Sequence, residues 1–152
     1  DAEGRLTLAD AISYARSKGA ARIVDIATLT GAIGVALGRG QIGAFSNDDD
    51  LFGTIYNAAK KVGEPIWRMP LDKVSKRQNV STVADLKNTG GRDAGSITAA
   101  HFIAEFVGDI PWIHLDIASR VFSGKEEGIN VVGATGMPTR TLIQLVMDLV
   151  EQ

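Results

Sequence analysis

The feature that most constrains the fold of this chain is the alternation of short apolar runs with longer segments of helical periodicity. Three apolar runs, at 22–28, 41–47 and 111–119, are predicted to be buried strands. Apolar residues at helical spacing fill the segments 50–63 and 94–108. Strands that alternate with helices of about ten or more residues favour a mostly parallel sheet covered by helices. We therefore predict an α/β fold with three αβα layers.

The remaining segments are less regular. The run Thr-Leu-Ala-Asp from Thr7 has the form of a capped helix start, and Gly19 is predicted to end that helix. Small residues at 29–38 predict a tightly packed helix or turn, and a further strand is predicted near 82–87. Pro138 lies near the first turn of a C-terminal helix. No repeat or linker divides the chain, so one domain, which need not be complete, is the simplest interpretation.

Composition excludes several classes of function. The chain has 152 residues, of which 45% are hydrophobic, enough for one domain with a core. A formal net charge of -2 argues against a nucleic-acid or anionic-membrane partner. The absence of cysteine excludes disulfides and thiolate sites. Apolar runs are shorter than the roughly 20 residues of a membrane-spanning helix, so a cytoplasmic protein is expected.

The chain opens on the motif DAEGR, which contains Asp1, Glu3 and Arg5. In an extended segment these alternate side chains would share one face. Two carboxylates on one face repel each other unless a proton or a cation lies between them, and a hard divalent ion with oxygen ligands would satisfy both. Arg5 could hold an anion beside that ion. The alternative is a solvated strand end or a disordered terminus, which such a run more commonly forms.

Longer stretches resemble the leucyl (cytosol) aminopeptidase family. The opening DAEGRLTLADA is similar to the family's signature segment, which normally has Asn-Thr in front of the Asp. Four later stretches match family segments in the right order over essentially the whole chain: DIATLTGA at 25–32, ADLKNTGGRDAGSITAAHF at 84–102, WIHLDIA at 112–118 and ATGMPTRTL at 134–142. The motif is highly specific, and several ordered matches make coincidence a poor explanation.

The resemblance implies an exopeptidase that uses two divalent metal ions, Mn²⁺ or Zn²⁺ and in some cases Mg²⁺, to release N-terminal residues such as leucine from peptides. It implies that Asp1 ligates one metal ion and that Glu3 bridges both. It implies that Arg5 holds a bicarbonate ion, which acts as the base for the attacking water. The residues that it implies for the substrate's first side chain and backbone are Thr28, Leu29, Gly31, Ala118 and Val121.

The same resemblance implies that other parts of the site are absent from this chain. The family also uses a lysine and two aspartates as ligands, and all lie upstream of the opening motif. The segment 1–152 would then be the C-terminal portion of the catalytic domain, and the isolated chain is expected to bind metal poorly and to hydrolyse little. Family members form hexamers, so a homo-oligomer is expected.

Other interpretations stay open at this point. The chain could be a non-enzymatic scaffold or a DNA-binding regulator derived from the same family, or a different two-metal hydrolase. His101 and His114 are interpreted as core histidines, and Asp25 and Asp116 as structural hydrogen-bond acceptors in buried strands. The Gly-Gly-Arg run at 90–92 is interpreted as a tight turn, with an anion site at a helix N-terminus as its alternative.

Overall fold

The computed structural model describes residues 2–150, and these form two layers of helices around one sheet. The main strands are β1 (Ile23–Ala27), β2 (Ile42–Ser46), β3 (Ile66–Arg68) and β4 (Trp112–Asp116), and a small hairpin joins β5 (Phe122–Ser123) to β6 (Gly133–Ala134). The helices are α1 (Gly4–Ser17), α2 (Gly31–Leu37), α3 (Asp49–Val62), α4 (Lys73–Lys76), α5 (Gly95–Val107) and α6 (Thr139–Val150). The alternation of strands and helices over most of the chain confirms the predicted α/β class.

The central sheet has the strand order β1-β4-β2-β3. Strand β4 is parallel to β1, with His114 opposite Asp25, and β2 is parallel to β3. Between these two pairs, β2 and β4 run antiparallel, with Phe45 opposite His114. The sheet is therefore mostly parallel, as predicted, with one antiparallel pairing at its middle.

Two apolar cores lie on opposite faces of the sheet, which makes three layers. Side chains alternate between the faces of a strand, so each strand contributes to both cores. The core beneath α3 and α6 includes Ile42, Ala44, Ile55, Ile113, Leu115 and Leu145. The core beneath α1, α2 and α5 includes Ile12, Ile33, Phe45, Ile103, Val107 and Trp112. All of these side chains are buried, so both faces of the sheet are sealed from water.

The short helix α2 packs unusually close to strand β2. A Cβ atom added at Gly43 would lie 2.2 Å from Cδ1 of Ile33, closer than two carbon atoms can approach. Only glycine therefore allows Ile33 to lie flat on the sheet at this point. Of the two structures predicted for 29–38, a tightly packed helix or a turn, the chain forms the helix, which spans Gly31–Leu37.

Helix α1 begins earlier than predicted. It starts at Gly4, with Glu3 as its N-cap, because the amides of Leu6 and Thr7 both donate to the carbonyl oxygen of Glu3. The Thr7 hydroxyl contacts the same oxygen instead of capping a later helix. Residues 2–5 are therefore not extended throughout. Glu3 and Arg5 do not share a face, because residues two apart on a helix point in different directions.

The prediction of a strand near 82–87 is also wrong. The backbone amides of Val83 and Ala84 donate to the hydroxyl of Ser81, and the amide of Lys87 donates to the carbonyl oxygen of Asn79. Local side-chain bonds thus replace the ladder bonds that a strand needs. Val83 is 94% exposed, so its β-branched side chain packs against no core.

Buried polar residues in the strands are paired, as predicted for Asp25 and Asp116. Asp25 accepts a hydrogen bond from the indole nitrogen of Trp112, and its other carboxylate oxygen lies 2.5 Å from Nδ1 of His114. His114 is fully buried, and His101 lies in the core-facing part of α5.

No helix within residues 2–150 has both the length and the apolar character needed to cross a membrane.

Substitution of Ile55 by alanine should destabilise the fold by about 2–5 kcal/mol, because the fully buried side chain fills the core between α3 and the sheet. Urea denaturation measures the loss. Val35, which is 90% exposed, offers a matched control: Val35→Ala should change stability by no more than about 0.5 kcal/mol. Equal losses in the two variants would contradict the assignment of the core.

His101 should make the stability of the protein depend on pH. Burial lowers the pKa of His101 below its ordinary 6.5, an effect opposed by a hydrogen bond to the Asp72 backbone and by the charges of Asp72 and Glu105. A lowered pKa means that the stability from neutral His101 is complete above about pH 6.5 and is lost as the pH falls through the folded value.

The test for His101 is urea denaturation between about pH 7.5 and 5. His101→Gln cannot gain a proton, so its stability should fall less steeply than that of the wild type over this range. If stability falls equally with pH in the two proteins, the pKa of His101 is not lowered in the folded state.

Candidate functional site

A cavity of about 250 Å³ lies where three segments meet. These are the start of α1, the turn after β1 (residues 28–31) and the loop before α5 (residues 80–94). The residues that matter for its chemistry are Arg5, Leu29, Gly31, Thr89, Gly91 and Arg92. The turn after β1 follows the carboxyl end of a strand that is parallel to its neighbour. Ligands of open α/β sheets bind outside these carboxyl ends. The position of the cavity therefore favours a binding or catalytic site.

Arg5 is the most unusual residue of this cavity. It is only 8% exposed, one of its terminal nitrogens donates to the carbonyl oxygen of Asn88 at 2.7 Å, and its buried Nε has no hydrogen-bond partner. Burial lowers the pKa of Arg5, but a guanidinium keeps its charge at any physiological pH. A buried cation with an unpaired donor beside a cavity is suited to an anion. The residues present therefore fit a small anion such as bicarbonate.

Asn88 holds the opening segment at two points. Its carbonyl oxygen accepts the bond from Arg5, and its side-chain amide donates to the carbonyl oxygen of Ala2 at 3.2 Å. Glu3 lies between these two anchored residues. Sequence reasoning missed Asn88, because no local pattern shows that the loop 80–94 packs against residues at the start of the chain.

Of the two predicted metal ligands, only Glu3 can be placed, since Asp1 lies outside the described residues. Glu3 is exposed, and a backbone hydrogen bond is the main cause that holds the pKa of its carboxyl below the ordinary value. Within residues 2–150, no group of three or more His, Cys, Asp or Glu side chains is arranged to hold a metal ion. The described part of the chain therefore does not complete a metal site by itself.

The turn after β1 is fixed by the carboxylate of Asp116 at the end of β4. One oxygen of Asp116 accepts from the amides of Leu29 and Ala118, each at 3.2 Å, and the other accepts from the Thr30 hydroxyl at 2.7 Å. Asp116 is fully buried, and burial raises the pKa of its carboxyl, an effect that these hydrogen bonds oppose. The turn and the segment after β4 are thus tied to one charged group.

The structure brings together some of the predicted substrate residues and separates others. Leu29 and Gly31 line the cavity with Arg5, whereas Thr28 is exposed and does not line it. Ala118 is joined to the turn through Asp116. Val121 lies beside the β5–β6 hairpin, where its carbonyl oxygen accepts from the amide of Thr135. Contact of these residues with a substrate stays a prediction.

The Gly-Gly-Arg run lies in an irregular stretch with a bend at Arg92, and it reaches the cavity. Gly91 has a φ of 111°, a conformation that glycine adopts readily. A Cβ atom at Gly90 would lie 2.7 Å from Oδ1 of Asn79. Gly91 is therefore favoured by its backbone conformation, and Gly90 by the close approach of the Asn79 side chain. Gly91 and Arg92 also line the cavity, and the alternative of an anion site at this run stays a prediction.

Comparison with known proteins finds one family whose model matches most of the chain. A model of the cytosol aminopeptidase family, catalytic domain, matches residues 1–143. A probable cytosol aminopeptidase of Microcystis aeruginosa is 52% identical over 147 residues, which cover 97% of this chain and 30% of that relative. A probable cytosol aminopeptidase of Koribacter versatilis is 50% identical over 148 residues, which cover 97% of this chain and 29% of the relative.

Solved structures with the same fold include a leucine aminopeptidase and a maturation enzyme. A mutant of tomato leucine aminopeptidase matches with a TM-score of 0.90 and 45% identity, over 97% of this chain and 28% of that one. The bottromycin maturation enzyme BotP in complex with Mn matches with a TM-score of 0.92 and 37% identity, over 97% and 34%.

The chain spans about 30% of the length of the curated relatives that it matches. Within that span, the family match covers nearly every residue and includes the opening motif, the turn after β1 and the loop before α5. These are the three segments that form the cavity around Arg5. The chain therefore belongs to the cytosol aminopeptidase family.

Proposed function

We propose that this chain carries part of the active site of a metal-dependent aminopeptidase that releases N-terminal residues such as leucine from peptides. The observation that carries the proposal is the buried guanidinium of Arg5, whose Nε is unpaired, in a cavity that Leu29 and Gly31 also line. Both the cation and the wall of the cavity come from segments that match the family.

Arg5 is proposed to hold an anion for the reaction. The bicarbonate that the family resemblance implies would supply a base that accepts a proton from the attacking water. Arg5 is suited to this task because it lines the cavity while the carbonyl oxygen of Asn88 fixes one of its terminal nitrogens. The guanidinium also places a fixed positive charge near the reacting groups, where it would stabilise developing negative charge.

The substrate is proposed to bind along the turn after β1. The amide of Leu29 already donates to Asp116, so the carbonyl oxygen of Leu29 is the backbone group left to bind a peptide. Thr28, Gly31 and Ala118 are small, which leaves room for a branched apolar side chain at the substrate's N-terminus. Val121 is proposed to lie deeper along the same pocket.

Metal binding is proposed for the complete protein, with Asp1 and Glu3 as two of the ligands of a pair of Mn²⁺ or Zn²⁺ ions, or of Mg²⁺. Two carboxylates in one short segment repel each other unless a cation lies between them. Residues 2–150 contain no complete cluster of ligands, so further ligands from elsewhere are required. The 152-residue chain alone is accordingly expected to hold metal weakly and to hydrolyse little.

Assembly into a homo-oligomer, a hexamer by the family resemblance, is proposed together with a cytoplasmic location. In support, α6 exposes an apolar stripe at helical spacing, formed by Ile143, Val146, Met147 and Val150. A stripe of this kind is typical of a surface that another protein covers. The alternative of a non-enzymatic scaffold or DNA-binding regulator is tested by turnover, because it predicts none.

Arg5→Ala should lower kcat/KM for leucine amide by about 10²–10³-fold, as for the loss of a group that stabilises charge in a transition state. The assay uses the protein at its native length with Mn²⁺ or Zn²⁺. Arg5→Lys should recover only part of the rate, because an ammonium lacks the planar set of donors. Added bicarbonate should accelerate the wild type and not Arg5→Ala.

Arg16 on the same helix is the matched control for Arg5, since it too donates to a backbone carbonyl oxygen, that of Phe106, but lies outside the cavity. Arg16→Ala should leave kcat/KM within about twofold of the wild type, as expected for a surface change distant from the site. A wild type with metal but without turnover would remove the enzyme proposal. Equal rates in wild type and Arg5→Ala would contradict the role of Arg5 but not the enzyme proposal.

Asn88→Ala should weaken metal binding or activity by about 10–100-fold, the usual cost of losing a residue that orients metal ligands. The physical reason is the loss of the amide that holds the carbonyl oxygen of Ala2 beside Glu3. Calorimetric titration with Mn²⁺ measures the affinity on the protein at its native length. Lys87→Ala changes an exposed neighbour and should leave the affinity unchanged. Equal affinities in wild type and Asn88→Ala would show that Asn88 does not orient this segment.

A further inference from the structure

Asp116 is a buried charge whose bonds go to two separate segments at the edge of the cavity. It ends strand β4 and is fully buried. Leu29 and Thr30, from the turn after β1, lie on one side of it. Ala118, two residues beyond Asp116, lies on the other. One carboxylate therefore sets the distance between the turn and the segment that follows β4.

The contacts of Asp116 are directional and divided between its two oxygens. The first oxygen accepts from the amides of Leu29, Thr30 and Ala118, at 3.2, 3.5 and 3.2 Å. The second accepts from the Thr30 hydroxyl at 2.7 Å. A carboxylate can accept bonds of this kind at both oxygens simultaneously, which an apolar residue of similar size cannot do.

The Thr30 hydroxyl extends this arrangement into helix α2. It donates to Asp116 and accepts from the amide of Ile33, and thereby caps α2. Ile33 is fully buried and lies against Gly43 of β2. Movement of the turn would therefore disturb both the cap of α2 and the bond to β4. The wall of the cavity formed by Leu29 and Gly31 is fixed from both directions.

The opposite wall of the cavity is fixed independently. Arg5 is held by the carbonyl oxygen of Asn88, and neither residue contacts Asp116 through a hydrogen bond. The position of Leu29 relative to Arg5 thus depends on two anchors, Asn88 on one side and Asp116 on the other. Burial of a carboxylate carries a large cost in desolvation, which apolar packing would avoid. The advantage of a carboxylate here is that its two oxygens can hold Leu29, Thr30 and Ala118 in fixed positions.

We infer that Asp116 is a positioning residue that, with Thr30, fixes the turn at residues 28–31 against Ala118 and so determines which N-terminal side chain the site accepts. This inference rests on the proposed aminopeptidase function and adds the residue pair that sets its specificity. Asp116 acts through the backbone of Leu29 and Ala118 and need not touch the substrate. Release of the turn should change how well the site discriminates between a large and a small side chain.

The experiment compares Thr30→Val and Asp116→Asn in the protein at its native length. Thr30→Val keeps the shape and removes the hydroxyl, and Asp116→Asn keeps the shape and removes the charge. The readout is the ratio of kcat/KM for leucine amide to that for alanine amide. This ratio does not depend on how much of each variant is folded, so a loss of stability alone leaves it unchanged. Amide hydrogen exchange at Leu29 and Ala118 reports on the turn directly.

Both variants should change the leucine-to-alanine ratio by about tenfold, the scale of effect expected when a binding group is displaced by less than an ångström. The amides of Leu29 and Ala118 should exchange faster. Thr30→Ser restores the hydroxyl and should return the ratio to the wild-type value. The double variant should change the ratio by less than the product of the single changes, because both substitutions act on the same hydrogen bond.

Thr54→Val is the matched control. The Thr54 hydroxyl donates to the carbonyl oxygen of Asp50 within α3, so its loss should change neither the ratio nor the exchange of Leu29 and Ala118. An active wild type whose ratio stays within twofold in both Thr30→Val and Asp116→Asn would overturn the inference, whatever the exchange rates. A wild type without turnover would instead contradict the proposed function and remove the inference with it.

Discussion

Strand β4 is the element on which the rest of the structure depends. All five of its residues are buried, because it pairs with β1 on one side and β2 on the other and carries a helical layer on each face. It is also polar for a central strand, with His114 and Asp116 on the same face as Trp112. Those polar groups have partners on neighbouring segments: Nδ1 of His114 pairs with Asp25, and Asp116 pairs with the turn after β1, although the buried Nε2 of His114 has no partner among the described residues. The same strand thus supports the fold and ends at the candidate site.

The cavity around Arg5 is built from segments that are far apart in the chain. Arg5 is bonded to Asn88, and Leu29 is bonded to Asp116. Neither bond joins residues of one helix or strand, so each depends on the packing of the whole domain. The loop 80–94, which contains no strand or helix, is therefore part of the candidate site. Its backbone and its Asn88 side chain are the groups that hold the opening segment.

Sequence reasoning succeeded where a residue's environment follows from local periodicity and failed where distant groups compete for the backbone. The strands at 22–28, 41–47 and 111–119 were recognised from short apolar runs, and all three lie in the central sheet. The strand near 82–87 was wrong because Ser81 and Asn79 take up the backbone donors there, which no alternation of residues reveals. The start of α1 was misplaced because Thr7 has the form of a cap, yet Glu3 caps the helix four residues earlier.

The sequence by itself determined the α/β class, the main elements and the family, because periodicity and an ordered set of specific segments are properties of neighbouring residues. It also indicated Arg5, Leu29 and Gly31 as site residues through the resemblance. Only the tertiary structure decided that these three line one cavity, that Asn88 and Asp116 hold its two walls, and that the carbonyl oxygen of Val121 bonds to Thr135 beside the hairpin. The physical reason is that hydrogen bonds between distant segments form only after the two cores have packed, and their partners leave no local pattern in the chain.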